Sequence, residues 1–541
     1  MKACVLISLL AGIASAGKVL ISPSSIFPAH RYVMRELAAE LIKRGHTVVW
    51  WEIGLKSQKS ELPLDKKVDE RFWQVDMPQR YINDLFKHRN HSVYANLYAE
   101  ENYAHEPQLR TTAWLAATAM CDRVLDTRKA EFDALVAEHF DTAVIDDSFN
   151  PCGLLHVALQ RTVYVYYSLT YMRTESAWAN QSPSPPSYIP VPGTGLPDEL
   201  DFLERAYNFA SYLRAIYVHQ RVVLRRVDAV LRRHYPDVME SFYIERNASI
   251  NLVNSPPIFD FARPYMPRVN FVGGLHCRKP QPLAKELKTF VDSASAEDGF
   301  VLATSGFTVQ WSLLPRHVVD AYVYAFNTRP NTKFVWQYDG PTIKDLPKNV
   351  MVAKWLPQQD LLGHAKCRGL VTHGGLNSVV EAMWHGVPLV GVPLLSEHRD
   401  NILRATHRGA GVLLERKHFN KFTLTKAIRK LYVHKKYKEE ALVFQDLLID
   451  VPYTELNHSA FWVEFIMRHQ EVPQARSGAD YLNIFQYFLV DVISFLLACF
   501  FVAMAIVWYA LKYSCRLCCW ATKKSWGVLT GSGKAKKRKE E

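Results

Sequence analysis

The chain has 541 residues and a mass of 62.0 kDa, with 49% hydrophobic, 12% aromatic and 22% charged residues, enough for about three domain-sized units. Only 24 Gly and 28 Pro are present, which excludes collagen-like and disordered classes, and a core of this size needs no disulfide framework or structural metal. The formal charge of +12 is mostly a tail property: from Lys512 onward nine Lys and Arg face two Glu, leaving +5 for the rest and no nucleic-acid footprint.

In chain order, Met1-Lys2, the apolar run Ala3 to Ala14 and the small-residue site Ala14-Ser15-Ala16 predict a cleaved secretory signal over 1–16. A first domain, 17–265, opens with a strand at Lys18 to Ser22, a helix over Arg31 to Arg44 and a strand at Thr47 to Ile53. The charged, irregular stretch Lys56 to Arg110 suits a variable face. Then come a strand at Thr142 to Ile145, a helix at Leu154 to Gln160 and a strand at Val163 to Tyr167. The Pro-rich Ser255 to Pro267 reads as the linker to a second domain, 266–450. Strands are expected there at Phe300 to Thr304, Phe334 to Tyr338, Val350 to Ala353, Gly369 to Thr372 and Leu389 to Val392. Helices at Leu376 to Trp384 and His398 to His407 fill gaps between them. Alternating strands and helices imply two parallel-sheet domains, with ligand sites at the carboxyl ends of strands in the cleft between them.

A C-terminal helical segment and linker over 451–490 leads to Val492 to Leu511, twenty residues without a formal charge, long enough to cross a hydrocarbon core of about 30 Å. The span, set at 491–511, ends in the interfacial pair Trp508 and Tyr509, and the basic tail 512–541 places that end in the cytosol. A single-pass type I membrane protein with a lumenal body follows. Lys537-Arg538-Lys539-Glu540-Glu541 resembles a dilysine signal for retrieval to the endoplasmic reticulum, against a plain lipid-contacting basic patch. Of nine cysteines only Cys121, Cys152, Cys277 and Cys367 lie in the lumenal body, too few for a disulfide scaffold and without the CxxC spacing of a zinc site. Asn-x-Ser sequons stand at Asn90, Asn180, Asn247 and Asn457.

The chemistry is concentrated between Trp355 and Asn401. No GxGxxG follows a strand, and GxxxxGK[ST] and HExxH are absent. Instead a strand ends at His373, turns through Gly374-Gly375 and enters a helix near Leu376, whose free amides favour an anion. Asn377 and Ser378 add donors in the first turn, and Glu381 can accept from a sugar hydroxyl. Upstream, Trp355 offers a flat face for a base and Gln358 a paired donor and acceptor. The segment reads as a nucleoside-diphosphate pocket.

From Trp355-Leu356-Pro357-Gln358-Gln359-Asp360, through Thr372-His373-Gly374-Gly375, to Glu397-His398-Arg399-Asp400-Asn401, the sequence resembles the UDP-glycosyltransferase family, in its membrane-bound UDP-glucuronosyltransferase branch. The resemblance implies a GT-B fold: two Rossmann-like domains facing a cleft plus one C-terminal transmembrane helix. The first domain would hold the acceptor and the second the UDP-sugar donor, with no metal and no further cofactor. Trp355 would stack on uracil, Gln358 bond near the base, Glu381 hold the ribose, and His373, Gly375, Asn377 and Ser378 meet the diphosphate. In that family the catalytic base is a His sixteen residues before the His of an Arg-Gly-His. With Arg44-Gly45-His46 present, the resemblance implies His30 for that role. Its orienting carboxylate ends the strand at Thr142 to Ile145. Counting back from Cys152 selects Asp147, the preferred choice, and counting from Phe140-Asp141 selects Asp146.

Three motifs depart from the family pattern. Ser-x-Gly-Ser becomes Thr304-Ser305-Gly306-Phe307, with Thr308 as the nearest replacement hydroxyl. Trp-Arg becomes Trp336-Gln337, and Asp-Gln at the sugar becomes Glu397-His398. Arg263 resembles an arginine associated with glucuronate. The implied activity is inverting transfer of glucuronate or glucose to a hydroxyl of a small lipophilic acceptor, at the endoplasmic-reticulum membrane, by a protein that forms homo- or hetero-oligomers. His398 alone favours a ceramide or lipid galactosyltransferase, and Phe307 with Gln337 favours a non-catalytic UDP-sugar-binding partner.

Overall fold

A computed structural model describes residues 16–24, 26–55, 59, 61–76, 106–307, 309 and 311–530. Its first sheet has seven parallel strands, β1 (Lys18–Ser22), β2 (Thr47–Gly54), β3 (Asp69–Gln74), β4 (Thr142–Asp146), β5 (Tyr164–Ser168), β6 (Ile250–Val253) and β7 (Val269–Phe271), in the order β3-β2-β1-β4-β5-β6-β7. The second has six, β8 (Phe300–Thr304), β9 (Lys333–Gln337), β10 (Val350–Ala353), β11 (Cys367–Thr372), β12 (Leu389–Gly391) and β13 (Gly411–Leu413), in the order β10-β9-β8-β11-β12-β13. Helices cover both faces of each sheet, so β4, β5 and β8 are buried from end to end and read as near-continuous apolar runs. In each sheet the strand order reverses once, between β1 and β4 and between β8 and β11. Those reversals are where open α/β sheets leave a crevice for ligands.

Helix α1 (Pro28–Lys43) forms because Pro28 presets the first turn and Val33, Met34, Leu37, Ala38 and Leu41 make one apolar face against the sheet. It stops at Gly45, whose φ of +93° is a left-handed conformation that glycine adopts freely. Helix α2 (Pro151–Gln160) starts after Phe149, a non-glycine residue at φ +53° that turns Asn150 into position to cap Gly153. On the second sheet, α3 (Leu376–Trp384) follows β11 and α4 (Ser396–Thr406) follows β12.

Three expected boundaries move. The Pro-rich 255–267 segment is a loop between β6 and β7 of one sheet, because Val269 and Phe271 pair with Asn251 and Val253. The chain therefore leaves the first sheet after Phe271 rather than at 265/266. The helical segment expected within 451–490 is present as α5 (Glu455–His469), but it packs back on the first sheet, burying Ala460, Val463 and Ile466 beside Val19, Met34 and Val48. Arg44 Nη1 and His46 Nε2 both reach Glu464, at 3.1 and 3.2 Å, and Gly17 leaves room for Met467 where any Cβ would collide. The motif that served to locate His30 is thus a clasp for the returning helix. Finally α6 (Val490–Leu529), in a separate unit that begins at Ser477, continues past Leu511. Neither Gly nor Pro interrupts it before Gly527. Among the described residues it is the one helix long and apolar enough to cross a membrane.

Cys121 and Cys152 form a disulfide that ties the helix Glu106–Thr127 to α2, a link that cysteine count and spacing left unread. Of the described sequons, Asn247 and Asn457 are exposed and Asn180 is buried; Asn90, the signal segment and Lys537 to Glu541 lie outside the described residues.

Candidate active site

The two sheet reversals face one cavity of about 420 Å³. His30 reaches it from the first turn of α1, one helical turn earlier than the helix start expected at Arg31. Its Nδ1 lies 2.6 Å from Asp146 Oδ2, and both side chains are buried. Asp146 is the last residue of β4, and its carboxylate also accepts from the backbone amides of Ser24 and Ser148, both at 2.9 Å. Those bonds fix the carboxylate, which in turn fixes the ring and leaves Nε2 as the second nitrogen. Burial works to lower the His30 pKa, but the Asp146 charge and hydrogen bond, with Asp147 and Glu397 adding to them, outweigh it and the net shift is upward.

Asp147, the preferred partner by counting, does not touch His30. Successive strand residues point to opposite faces, so the side chain after Asp146 turns away from α1. It pairs with Arg173 at 2.7 Å and accepts from Ser148 Oγ and Ser176 Oγ at 2.9 and 2.8 Å.

The opposite wall is built from the second sheet. Gly374, at φ +93°, lets the turn pass beneath α4; a Cβ there would sit 2.7 Å from the His398 carbonyl. Gly375 caps α3 without laying a side chain over its first-turn amides, leaving them open to an anion. Asn377 and Ser378 stand in that turn and line the cavity. Gln358 Nε2 donates to Ser378 Oγ at 3.0 Å and to Glu381 Oε2 at 2.6 Å, joining three of the expected nucleotide contacts into one cluster. Burial lowers the His373 pKa to about 4, against a backbone hydrogen bond to Thr304 that raises it, and burial drives that of His398 well below its usual range. Both imidazoles are neutral at neutral pH. Glu397 and His398 line the cavity from the first turn of α4, and Asn401, one turn further on, also lines it and donates from Nδ2 to the Gly374 carbonyl at 3.0 Å.

Trp355 is 52% exposed at the cavity, and the Phe307 ring lies 4.7 Å from it at an interplanar angle of 32°. Gln337 bonds the same loop: its Oε1 accepts from Thr304 Oγ1 at 2.5 Å and Ser305 N at 3.2 Å, and its Nε2 donates to the Gly306 carbonyl at 2.9 Å. Arg263, expected at the sugar, is not among the residues that line the cavity. Its guanidinium is taken up by the Met172 carbonyl at 3.2 Å and Ser184 Oγ at 2.7 Å. Thr308 lies outside the described residues.

Tyr32 was not anticipated. Two residues beyond His30, its hydroxyl donates across the cleft to Glu381 Oε1 at 3.4 Å and accepts from Gln359 Nε2 at 3.3 Å. Apolar surface on the His30 side comes from Ile26, Phe27, Phe149 and Leu169. Part of the irregular stretch expected to shape this side, residues 77–105, lies outside the described residues, but Arg110 and Ala113 after it line the cavity.

Two parallel sheets joined through one cleft, each presenting its reversal point to the same cavity, define a GT-B glycosyltransferase. The chain belongs to the UDP-glucoronosyl and UDP-glucosyl transferase family, whose model matches residues 17–525. It is 30% identical to UDP-glucuronosyltransferase 2B15 of Homo sapiens over 541 residues, covering 97% of this chain and 96% of that protein. It is 32% identical to UDP-glucuronosyltransferase 1A3 of Rattus norvegicus, covering 93% of each. Among solved structures, the calicheamicin glycosyltransferase CalG4 superposes with a TM-score of 0.56 at 17% identity, over 84% of this chain and 99% of that one. Phytolacca americana UGT2, complexed with UDP-2fluoro-glucose and pterostilbene, does so with a TM-score of 0.54 at 16% identity, over 83% and 99%. The protein is a UDP-glycosyltransferase.

Proposed function

We propose that this enzyme transfers the sugar of a UDP-sugar, glucuronate or glucose, to a hydroxyl of a small lipophilic acceptor with inversion at the anomeric carbon. The observation that carries the reading is the buried His30–Asp146 pair, which borders the same cavity as the Trp355 to Glu381 segment. Neutral His30 takes the acceptor proton on Nε2 as the oxygen attacks, a role worth typically 10²–10⁴-fold, and Asp146 stabilises the imidazolium that forms. Uracil stacks on Trp355, Glu381 holds the ribose, and the α3 amides with Asn377, Ser378 and a neutral His373 receive the charge on the departing UDP. Glu397 and His398, which line the cavity from the first turn of α4, contact sugar hydroxyls. Ile26, Phe27 and Phe149 favour an apolar acceptor body.

The Cys121–Cys152 disulfide and the apolar α6 support lobes in the lumen of the endoplasmic reticulum, anchored by a single span. The test is UDP release from UDP-glucuronate, UDP-glucose, UDP-galactose and UDP-N-acetylglucosamine against a panel of phenols. His30→Ala should lose at least about 10²-fold in turnover while binding UDP as wild type does. Wild-type protein that binds UDP-sugars and releases no UDP with any acceptor would make it a binding partner instead.

A further inference from the structure

The two lobes are joined at a point outside the reacting residues. Asp400, on α4, is buried, and its carboxylate accepts three hydrogen bonds from the first lobe: Tyr171 Oη at 3.1 Å, Gly193 N at 2.6 Å and Gly195 N at 2.9 Å. Gly193 and Gly195 have φ of +90° and +66°, and this left-handed alternation turns both amides inward onto one acceptor. Both positions favour glycine through their positive φ, and the space at each is limited. A Cβ on Gly193 would meet Ser396 Oγ at 3.1 Å, and one on Gly195 would overlap the Arg399 guanidinium, which donates to the Gly195 carbonyl. Tyr171 is held from a second side, since the Arg404 guanidinium lies 4.2 Å from its ring centroid and donates to Asp260 Oδ1 at 2.8 Å.

Each side of this joint carries part of the cavity. Tyr171 sits on the loop after β5, whose Leu169, Thr170 and Arg173 line the acceptor side. Asp400 sits between His398 and Asn401 on the helix that lines the donor side. We propose that Asp400 is a positioning residue for glycosyl transfer: its grip on Tyr171, Gly193 and Gly195 sets the distance between the sugar-facing turn of α4 and His30. The nucleotide itself is held elsewhere, by Trp355, Gln358 and the start of α3, so its affinity does not depend on this joint. The proposal rests on the assignment of His30 as base and of Glu397 and His398 as sugar contacts.

The test compares full-length wild type, Asp400→Asn and Tyr171→Phe for UDP affinity by calorimetry, thermal unfolding, and kcat and KM for the UDP-sugar. Asp400→Asn keeps the shape but turns an amide toward the two glycine N–H groups. It should lower kcat/KM by about 10²-fold, the scale of a misplacement of about 1 Å, with UDP affinity within about twofold of wild type. Tyr171→Phe removes one of the three bonds and should fall between the two. Full turnover in both variants would overturn the proposal, and so would loss of UDP binding and thermal stability in step with turnover. Failure of the underlying assignment looks different: His30→Ala would then turn over normally, whatever the Asp400 variants do.

Discussion

Asp146→Asn is the sharpest test of the proposed chemistry. The carboxylate accepts from His30 Nδ1 at 2.6 Å and from two backbone amides at 2.9 Å, so an amide in its place can accept on one side only and presents N–H groups where donors already stand. The imidazolium that develops in the transition state loses its counter-charge and the ring loses its fixed tautomer. A loss of about 10²–10⁴-fold in kcat follows, or roughly 2.7–5.5 kcal/mol of barrier. The pH profile gives a second readout. In the wild type the His30 pKa is raised above 6.5, so the neutral base accumulates, and kcat/KM rises, only as pH climbs through that raised value. Removing the Asp146 charge leaves burial, which lowers the pKa, opposed only by the more modest effects of Asp147 and Glu397. The acid limb should therefore move to lower pH even as the plateau falls. UDP release measured from pH 5 to 9, with UDP affinity as the control for folding, decides it. A variant within threefold of wild type, or an acid limb that stays in place, would refute the pairing. Asp147→Asn serves as the contrast. It breaks a buried pair with Arg173, at a cost of about 3–5 kcal/mol of stability, and its effect should appear first in thermal unfolding.

Trp355→Ala removes the stacking face at the nucleoside and should weaken UDP binding, measured by calorimetry, by about 1–3 kcal/mol, roughly 5- to 150-fold; unchanged affinity would remove the base from that ring. A chain ended after Arg476 should fold and melt cooperatively. One ended after Asp450 loses α5 and its buried Val463 and Ile466, about 3–6 kcal/mol of burial at most, and should be insoluble or melt far lower. Replacing Cys121 and Cys152 by Ser opens a 31-residue loop and should cost about 3–4 kcal/mol in denaturant unfolding, unless the unfolded chain keeps the two helices together.

Much of this architecture was legible because parallel strands covered on both faces are short apolar runs. The observed bounds at Lys18–Ser22, Phe300–Thr304, Val350–Ala353 and Leu376–Trp384 coincide with those read from sequence. Four strands went unread for a physical reason. Edge strand β3 is Asp-Glu-Arg-Phe-Trp-Gln, too charged to look like a strand, while β6 and β7 are short and carry Asn251 and Asn270 within them, and β13 is three residues, Gly-Val-Leu. The site was legible where one segment carries it, from Trp355 to Asn401. It was not legible where distant segments meet. Counting could not separate Asp146 from Asp147, because the choice depends on which face of β4 each side chain takes. Tyr32 and Asp400 matter through partners 349 and 229 residues away, Glu381 and Tyr171, and no spacing rule reaches that far. The sixteen-residue interval from His30 to His46 has a structural origin: α1 fills most of it, so the interval measures the length of a helix clasped at its far end by α5.

The departures at 307 and 337 are better understood as one unit than as two losses. Gln337 accepts from Thr304 and Ser305 while donating to the Gly306 carbonyl, which requires a side chain that is donor and acceptor at once. An arginine there has no acceptor atom. The buried Ser305 amide and Thr304 hydroxyl would lose that partner, at about 1–3 kcal/mol for each group left unsatisfied. The carboxamide therefore keeps the β8 loop built without a cation, and the loop's next residue, Phe307, lays its ring on Trp355. With a neutral residue at 337 and a neutral His373, the α3 amides are the positive pole that this wall of the cavity offers the diphosphate under the proposed reading. Leaving-group stabilisation then draws on backbone geometry, and hence on Gly374 and Gly375, the residues that allow α3 to start where it does.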